Sequence, residues 1–420
     1  MKIAVIGFGA ASIGFLNTVK NTGHEVHIFE SSKDIYSSSL SGIRSDGKLF
    51  VSGSMGGDLP VDIKLQKEVV DFYINHSALG KNEIEYGYSF SNAELYKKFY
   101  DYGFDPVKSD FYHIGTDKLG DILTAIYSEF KTFNNMHFYF GNRVESVEPA
   151  EYGAQIQVNG EKILFDLAVV AAGRSGHKLT SKFIQEHPEV VLSNTTVDLG
   201  VRYELPDHIV QELNEEMYEF KVKLKTKTGY MVRTFCNNPS GEVVLEKYDD
   251  FVTVNGHARM KEKTTNTNFA VLVTHSFTSP FNDPVGYGSY IAKLSNILAG
   301  NNKIILQAYG DFKQAKRTKK LGRVLPTLKS DNYILGDLNL VFPRKTVESI
   351  IYFLEELNKV IPGITYEDNL LYGVEVKFYG NKLDNSKYKN IKFIGDCSGW
   401  TRSITYATSH GIMLGQELFL

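Results

Sequence analysis

Three side chains that could move a proton alternate along one short stretch of this sequence. Glu375, Lys377 and Tyr379 lie in GVEVKFY, where single apolar residues separate them. Successive side chains of a strand point to opposite faces, so an acid, an amine and a phenol would share one face. We interpret that face as a candidate wall of a catalytic site, and a solvent-facing strand edge is the alternative. Arg202, in LGVRYEL, is a weaker candidate.

A second set of reactive side chains lies in IGDCSGWTRSITYATSHG, residues 394–411. A thiol beside a helix N-terminus can acquire a lowered pKa, so Cys397 is a candidate nucleophile or point of covalent attachment. Simple packing of a small residue is its alternative. Arg402 could hold a carboxylate through two parallel hydrogen bonds, or form an ordinary surface ion pair. Trp400, the only tryptophan, would either flank a planar ring or fill the core.

The first residues carry a phosphate-binding pattern. KIAVIG predicts a buried parallel strand, and Gly7, Gly9 and Ser12 then occupy the three small positions of a dinucleotide fingerprint. The third position is usually glycine, so Ser12 is a mild departure. The first helical turn, which contains Ala10, Ala11 and Ser12, would present N–H groups and the positive end of the helix dipole to phosphates.

The next predicted strand, HEVHIFE, ends in Glu30. An acid about 20 residues after the fingerprint holds a ribose hydroxyl, and its charge disfavours the 2′-phosphate of NADP. Dinucleotide binding is therefore predicted, but this pattern does not distinguish FAD from NAD.

The elements that would position these residues follow from periodicity and turn signals. Residues 37–60 form a long loop rich in serine and glycine, which is usually functional, with a mobile surface loop as the alternative. Helices are predicted at about 64–79 and 92–104, and another begins near Thr116 or Asp117. Strands with hairpin turns at 151–153 and 159–160 follow.

The predicted fold is α/β, with a Rossmann-type nucleotide-binding domain built on a parallel sheet. That domain spans 1–176, with a loop and helical excursion at about 37–110. Residues 177–387 predict an inserted, β-rich α+β substrate domain, with helices at about 290–298 and 345–360. Residues 388–420 return to the first domain, where Ala407, Gly411 and Gly415 recur at a spacing that allows close helix packing.

Composition restricts the class of protein. The formal net charge is −3 over 420 residues, which does not favour a nucleic-acid or membrane surface. The basic run at 316–323 leaves nucleic-acid binding open without favouring it. Cys236 and Cys397 lie in unrelated contexts, so no disulfide framework is expected, and we predict a reducing, cytoplasmic compartment. No signal peptide, transmembrane segment or metal site is assigned from the sequence.

The layout resembles the two-dinucleotide-binding, glutathione-reductase-like flavoproteins. More specifically, the sequence is similar to a family of uncharacterised FAD-dependent dehydrogenases. The strings that carry this resemblance are SDGKL (45–49), HIGTD (113–117), VVAAGRSG (169–176), RTFCNNPSGEVV (233–244), VNGH (254–257), NTNFAVLV (266–273), GVEVKFY (373–379) and GD-x-x-G-x-TR (395–402).

The resemblance implies FAD as the cofactor and assigns roles to several residues. Ala172 and Gly173 would let the chain pass close to the adenine half, and Val144 would be the backbone clamp on adenine. Asp396 would bind the ribityl chain, and Gly395 would let the backbone approach the pyrophosphate closely.

The helix that begins near Ile404 would aim its N-terminus at the pyrimidine edge of the flavin ring. Thr401, Arg402 and Ser403 would lie at that end, where a positive dipole favours negative charge on the ring. Relatives tend to carry only small residues after the Gly-Asp step, and often a second thiol near Cys236. Both features are missing here.

These residues predict an FAD-dependent oxidoreductase that transfers a hydride between a substrate carbon and flavin N5. The expected partners are a small-molecule substrate and a separate electron acceptor, such as oxygen, a quinone or a protein, and no membrane. One alternative is a flavin-dependent amine or amino-acid oxidase, or a lyase, acting on a larger substrate such as a modified nucleotide or peptide. A non-catalytic flavin or NAD sensor is a third possibility.

Overall fold

Two structural units divide the chain, and each is assembled from separate stretches of sequence. The first unit comprises Met1–Tyr86, Ser109–Asn194 and Gly380–Leu420. The second comprises Gly87–Lys108 and Thr195–Tyr379. This is a computed structural model, and it describes residues 1–36, 47–53, 55–77, 84–88, 92–107, 110–114, 116–193, 196–217, 220–248, 250–257, 263–278, 281 and 283–420, without the side chains of 85–88, 116, 117 and 193.

The helices of the described residues are α1 (Ala10–Val19), α2 (Ile63–Asn75), α3 (Ala93–Asp101), α4 (Thr116–Phe130), α5 (His177–Glu186), α6 (Asp207–Glu216), α7 (Pro284–Ala299), α8 (Tyr309–Lys313), α9 (Arg344–Val360) and α10 (Ile404–Phe419).

The strands are β1 (Lys2–Ile6), β2 (Glu25–Glu30), β3 (Lys48–Val51), β4 (Glu85–Tyr88), β5 (Asp105–Pro106), β6 (Asp110–His113), β7 (Met136–Phe140), β8 (Val144–Ala150), β9 (Gly153–Val158), β10 (Glu161–Phe165), β11 (Leu167–Val170), β12 (Val191–Ser193), β13 (Thr196–Pro206), β14 (Val222–Lys225), β15 (Met231–Asn238), β16 (Glu242–Lys247), β17 (Val252–His257), β18 (Asn266–Ser276), β19 (Ile304–Ala308), β20 (Tyr333–Leu335), β21 (Leu370–Phe378), β22 (Lys382–Leu383) and β23 (Ile391–Phe393).

A parallel sheet forms the centre of the first unit, in the order β23-β11-β1-β2-β7. β1 is buried from Ile3 to Ile6, as expected for a strand covered on both faces. The chain leaves β1 toward β2 on one side and returns to β11 on the other. This reversal is the topological switch point at which open α/β sheets bind ligands, and it confirms the predicted Rossmann-type class.

Small residues bring α1 and α10 into close contact in the first unit. A Cβ on Gly14 would lie 2.0 Å from the Thr408 carbonyl oxygen, and one on Gly411 would lie 2.0 Å from the Ala11 carbonyl oxygen. Larger residues at either position would force the helices apart. The predicted structural role of Gly411 is therefore confirmed.

An antiparallel sheet in the second unit has the order β20-β19-β21-β13-β18-β15-β14-β5, with β19 and β20 parallel. Alternate residues of β13 pack with α9 in an apolar core: Val197, Leu199, Val201, Tyr203 and Leu205. The residues between them, Asp198, Arg202 and Glu204, are also buried and lie on the opposite face.

Strand pairing explains why the units differ from the predicted domains. β5 pairs with β14, which places 87–108 in the second unit rather than in the first domain. β12 pairs with β22, so the first unit continues past residue 176 and resumes before 388. Both contacts join segments far apart in sequence, which local periodicity does not reveal.

The predicted local elements are largely confirmed. Helices expected at 64–79, 92–104 and 345–360 correspond to α2, α3 and α9, and Asn159 and Gly160 have the positive φ angles of a two-residue hairpin turn. The helix expected from 290 begins at Pro284, where the Asp283 side chain caps it. Among the described residues, no helix combines the length and apolarity needed to cross a membrane.

Candidate functional site

The ends of β1, β11 and β23 bring three distant stretches of sequence together in the first unit. A Cβ on Gly7, just after β1, would lie 2.8 Å from the Ala171 carbonyl oxygen after β11. A Cβ on Gly395, just after β23, would lie 2.7 Å from the Ala11 Cβ. The fingerprint, the Ala-Ala-Gly step and the Gly-Asp step therefore meet at the carboxyl ends of adjacent parallel strands.

The glycine turn leaves the N-terminus of α1 open. Gly7 has φ +94°, which disfavours any residue with a side chain, and its N–H donates to the Phe29 carbonyl over 2.8 Å. Ser12 donates its hydroxyl to the Gly7 carbonyl over 2.5 Å, so it fixes the turn. Gly9 precedes α1 in an extended conformation, and no described side chain caps the helix there. The N–H groups that begin at Ala10 are the donors that a phosphate requires.

Glu30 is the last residue of β2, the strand that pairs with β1. Its carboxylate accepts the backbone N–H groups of Phe8 and Ser32, each over 2.8 Å. These bonds hold the buried acid beside the glycine turn, in the position from which an acid binds ribose hydroxyls.

The middle segment turns sharply beside this site. Gly173 has φ +57°, and the Ala172 carbonyl accepts the Gly176 N–H over 3.0 Å. Val144 is buried and pairs with Val158 between β8 and β9. The contacts of Ala172, Gly173 and Val144 with adenine are proposals.

Asp396 lies in a short 3-10 turn after β23. Thr401 donates its hydroxyl to Oδ1 over 3.0 Å, and the Arg174 Nε lies 3.5 Å from Oδ2. Burial raises the pKa of Asp396, and the neighbouring Arg174, Thr401 and Arg402 oppose that rise. Arg174 is mostly exposed, so it can leave this carboxylate when another partner binds.

The end of the serine- and glycine-rich loop pairs with the segment after Asp396. Gly57 and Thr401 form an antiparallel bridge, and the Arg402 N–H donates to the Gly56 carbonyl over 2.7 Å. A Cβ on Gly57 would lie 2.1 Å from the Trp400 carbonyl oxygen. The prediction of one long loop over 37–60 is wrong in part, because Lys48–Val51 forms strand β3 and pairs with β6. Residues 37–46 and Ser54 of that loop lie outside the described residues.

Arg402 belongs to an ion cluster that the sequence did not reveal. Its Nη2 lies 3.0 Å from Asp58 Oδ2, and Lys382 Nζ lies 2.8 Å from the same oxygen. Burial acts to raise the pKa of Asp58, but these two cations hold it below its usual value.

Ser403 and Ile404 begin α10. The Ser403 hydroxyl accepts the Tyr406 N–H over 3.2 Å, so this residue caps its own helix. His410, which sequence reasoning missed, accepts the Gly395 N–H at Nδ1 over 3.3 Å. Burial lowers the pKa of His410 to about 4, so the imidazole is neutral near pH 7.

Cys397 does not have the properties of a nucleophile. Its thiol is buried and donates to the Ile394 and Val170 carbonyls, over 3.2 and 3.3 Å. Burial raises its pKa to about 12, because a thiolate would lose its hydration there. The expected lowering of the thiol pKa is therefore wrong, and the contacts agree with the alternative interpretation, packing of a small residue. Trp400 donates its indole N–H to the Leu383 carbonyl over 2.9 Å, which fixes its orientation.

The second unit groups the other predicted residues on one sheet face. Arg202 donates from Nε and Nη2 to the two carboxylate oxygens of Glu375, each over 2.8 Å, and both side chains are fully buried. Lys377 Nζ lies 3.4 Å from Glu375 Oε1. Tyr379 donates its hydroxyl to Asp198, which Arg233 also binds.

Cations surround Phe235 on the same face. The ring centroid lies 5.0 Å from Lys221 Nζ, 5.5 Å from Arg233 Cζ and 5.6 Å from Lys377 Nζ. Oδ1 of Asp198 and Nε of Arg233 are buried without a hydrogen-bond partner among the described residues. Sequence reasoning missed Asp198, Arg233 and Phe235, because the pairing of β15, β18 and β13 brings them together.

The residues of the first unit fit the FAD that the sequence implied. Gly7 and Gly395 let the three segments pack closely at the strand ends, and α1 presents uncapped N–H groups beside them. In the first turn of α10, the buried Thr405 hydroxyl has no partner among the described residues, so a bound polar group could satisfy it.

Comparison with known proteins agrees on the cofactor. Residues 193–378 match the profile of a family described as "FAD-dependent protein, C-terminal domain-like". The match confirms the predictions of FAD and of an FAD-dependent oxidoreductase in general. It does not specify the reaction.

Similarity to individual proteins extends over nearly the whole chain but is low. A protein of Clostridium beijerinckii described as uncharacterized is 25% identical over 451 aligned positions, which cover 99% of this chain and 80% of that protein.

Among solved structures, a geranylgeranyl bacteriochlorophyll reductase-like protein of Thermoplasma acidophilum is 9% identical, with a TM-score of 0.43, over 99% of this chain and 77% of that one. A variant of 2-methyl-3-hydroxypyridine-5-carboxylic acid oxygenase is 11% identical, with a TM-score of 0.38, over 100% of this chain and 82% of that one. Such scores support no argument about function.

Proposed function

We propose that this chain is a dehydrogenase or oxidase in which a hydride passes between a substrate carbon and flavin N5. The observation that supports the proposal is the meeting of Gly7, Ala171 and Gly395 at the carboxyl ends of adjacent parallel strands. Bound FAD supplies the two-electron chemistry, and the side chains described here bind, orient and exchange protons.

The first unit would hold FAD through its described donors and acceptors. The N–H groups from Ala10 to Ser12 bind the pyrophosphate, Glu30 binds the adenosine ribose, and Asp396 binds the ribityl chain. Thr401 orients Asp396 through its 3.0 Å hydrogen bond. Arg402 and the start of α10 place positive charge beside the pyrimidine edge, where Asp58 keeps Arg402 in position.

The second unit would bind the substrate through its polar sheet face. Lys377 and Arg233 attract an anionic group, and Phe235 offers an apolar surface between them. Glu375 orients Lys377, and both of its carboxylate oxygens already accept hydrogen bonds from Arg202. It is therefore a positioning residue rather than a proton carrier. We therefore infer that the substrate carries a carboxylate or phosphate.

A proton must leave the substrate heteroatom when the adjacent carbon loses its hydride. Tyr379 is hydrogen-bonded to Asp198, whose Oδ1 has no partner among the described residues. The phenol can therefore accept the substrate proton while it passes its own to Asp198. The electron acceptor would be oxygen, a quinone or a protein, because the GYGSY stretch lies inside α7 and does not form a second dinucleotide fingerprint.

The test is anaerobic reduction of the purified protein. We expect a yellow protein with a two-band flavin spectrum that bleaches with hydroxy or amino compounds bearing a carboxylate or phosphate, and not with their neutral esters. A colourless protein that takes up no FAD would refute the cofactor assignment. Bleaching by neutral compounds only would refute the anion-binding face.

The residues that favour the amine oxidase or lyase alternative are Cys397 and Trp400, which FAD binding does not require. Packing of the thiol and the indole hydrogen bond account for both. Selective bleaching by amines in the same panel would still favour it, and a flavin that no substrate or chemical reductant bleaches would favour a sensor.

A further inference from the structure

We propose that Glu25, His27 and His137 form a binding site for a divalent transition metal such as Zn²⁺. The three residues lie in the first unit, where β2 and β7 pair in parallel. His27 and His137 are register partners, and Glu25 shares the face of His27 two residues earlier in β2. The sheet itself therefore juxtaposes the three side chains.

The ligand atoms converge at distances that suit a tetrahedral ion. Nε2 of His27 lies 3.0 Å from Glu25 Oε1, and Nε2 of His137 lies 3.7 Å from the same oxygen. One ligand atom from each of the three residues lies within 4.8 Å of the other two. Bonds of about 2.0–2.2 Å in a tetrahedral zinc site place ligand atoms about 3.3–3.6 Å apart, so small side-chain movements suffice.

The second nitrogen of His27 is already oriented. Nδ1 lies 3.0 Å from the Tyr139 hydroxyl, so a proton on Nδ1 leaves the Nε2 lone pair for a metal. The site would offer two imidazoles and one carboxylate, with a fourth position for water.

A metal bound at this position would stabilise one edge of the sheet, away from the flavin site. Glu25 begins β2 and Glu30 ends it, about 17 Å away by the rise of a strand. The metal would join β2 to β7, the last strand in the sheet order. It would stabilise that edge of the folded sheet without contacting the fingerprint.

The experiment uses the FAD-loaded full chain, with any affinity tag removed and metals extracted by a chelator. Calorimetric titration with ZnCl₂ should give one equivalent bound, and Co²⁺ should produce the visible absorption of a tetrahedral ion. His27→Gln and His137→Gln should each weaken Zn²⁺ binding at least about tenfold. Zn²⁺ should raise Tm in the original protein but not in these variants.

Two matched substitutions control for binding elsewhere. His24→Gln removes a neighbouring histidine outside the site, and His187→Gln removes the imidazole of a cluster with Glu148 and Glu186. Both should bind Zn²⁺ as the original protein does. Absence of stoichiometric binding, or loss of binding only in His187→Gln, would overturn the proposal.

Folding of the variants does not limit the test. If His27→Gln does not fold, the same titration can be made with His137→Gln and Glu25→Gln, because these two side chains are more exposed. The FAD content should remain unchanged in every variant. A protein that binds Zn²⁺ but no FAD would support this site and refute the proposed function independently.

Discussion

Arg202 and Glu375 form a bidentate ion pair with no exposed surface on either side chain. The same guanidinium also donates to the Cys236 carbonyl and the Asn255 side chain, over 2.8 and 3.0 Å. Loss of one partner of a buried pair is costly because the other charge stays buried without compensation. This relationship fixes the polar face of the second unit.

Removal of the carboxylate charge should destabilise the fold. We expect Glu375→Gln to lower the free energy of unfolding by about 3–5 kcal/mol, measured by urea denaturation. Arg344→Ala removes an exposed i,i+4 pair with Glu348 and should change it by no more than about 0.5 kcal/mol. Similar losses in the two variants would contradict the importance of the buried pair.

The glycine turn should be necessary for cofactor loading. Gly7→Ala places a Cβ 2.8 Å from the Ala171 carbonyl oxygen at φ +94°, so we expect a large fall in the FAD-to-protein absorbance ratio. Gly160→Ala is a matched control, because φ there is +80° but no atom lies within 4 Å of the added Cβ. Circular dichroism would confirm that both variants fold. Full loading of a folded Gly7→Ala protein would contradict the assigned site.

Loss of Lys377 should weaken substrate binding more than the chemical step. With an anionic compound that bleaches the flavin, Lys377→Met should raise KM about tenfold, the equivalent of one charged hydrogen bond. We expect a smaller change in kcat, because the interaction is made in both ground and transition states. Lys225→Met, on the exposed end of β14, is the control. An unchanged KM for Lys377→Met would remove this residue from the site.

The Cys397 thiol should be inert in the folded protein. Because burial raises its pKa to about 12, Ellman's reagent at pH 8 should not modify Cys397 until denaturant is added. A Cys236→Ser background allows this single thiol to be counted. Cys397→Ala should reduce flavin reduction rates by less than about threefold, as expected for a residue that only packs. A loss of several orders of magnitude would restore the nucleophile hypothesis.

Acid should destabilise the first unit through His410. Its pKa is about 4 in the fold and 6.5 in the unfolded chain, so the unfolded state binds more protons between these values. The contribution of His410 is complete above pH 6.5 and falls by up to about 3 kcal/mol as pH drops to 4. Urea unfolding between pH 7.5 and 4.5 should therefore show a shallower loss for His410→Gln. The exposed His208→Gln should keep the original profile, and an identical slope in all three proteins would contradict the prediction.

Sequence reasoning succeeded where function depends on short, contiguous patterns. The strand, glycine turn and helix around Gly7 are local, so their geometry follows from residue type, and Glu30 follows from spacing along one βαβ unit. Glu375, Lys377 and Tyr379 were placed correctly on one face for the same reason, because strand alternation is local.

Contacts between distant segments were not predictable. Asp58 meets Arg402 only because Gly57 pairs with Thr401, and Asp198 meets Tyr379 only through the pairing of β13 with β21. The raised pKa of the Cys397 thiol is not predictable either, because its burial depends on packing with β11 and β23, which the sequence does not display.

The glycine contacts between α1 and α10 also affect how the protein is made. Gly14 and Gly411 lie almost 400 positions apart, yet each helix packs without a Cβ against the backbone of the other. During synthesis, a ribosome has exposed the fingerprint long before β23 and α10 emerge. A nascent chain therefore lacks the Gly395 and α10 side of the FAD site until these distant elements have also been synthesised.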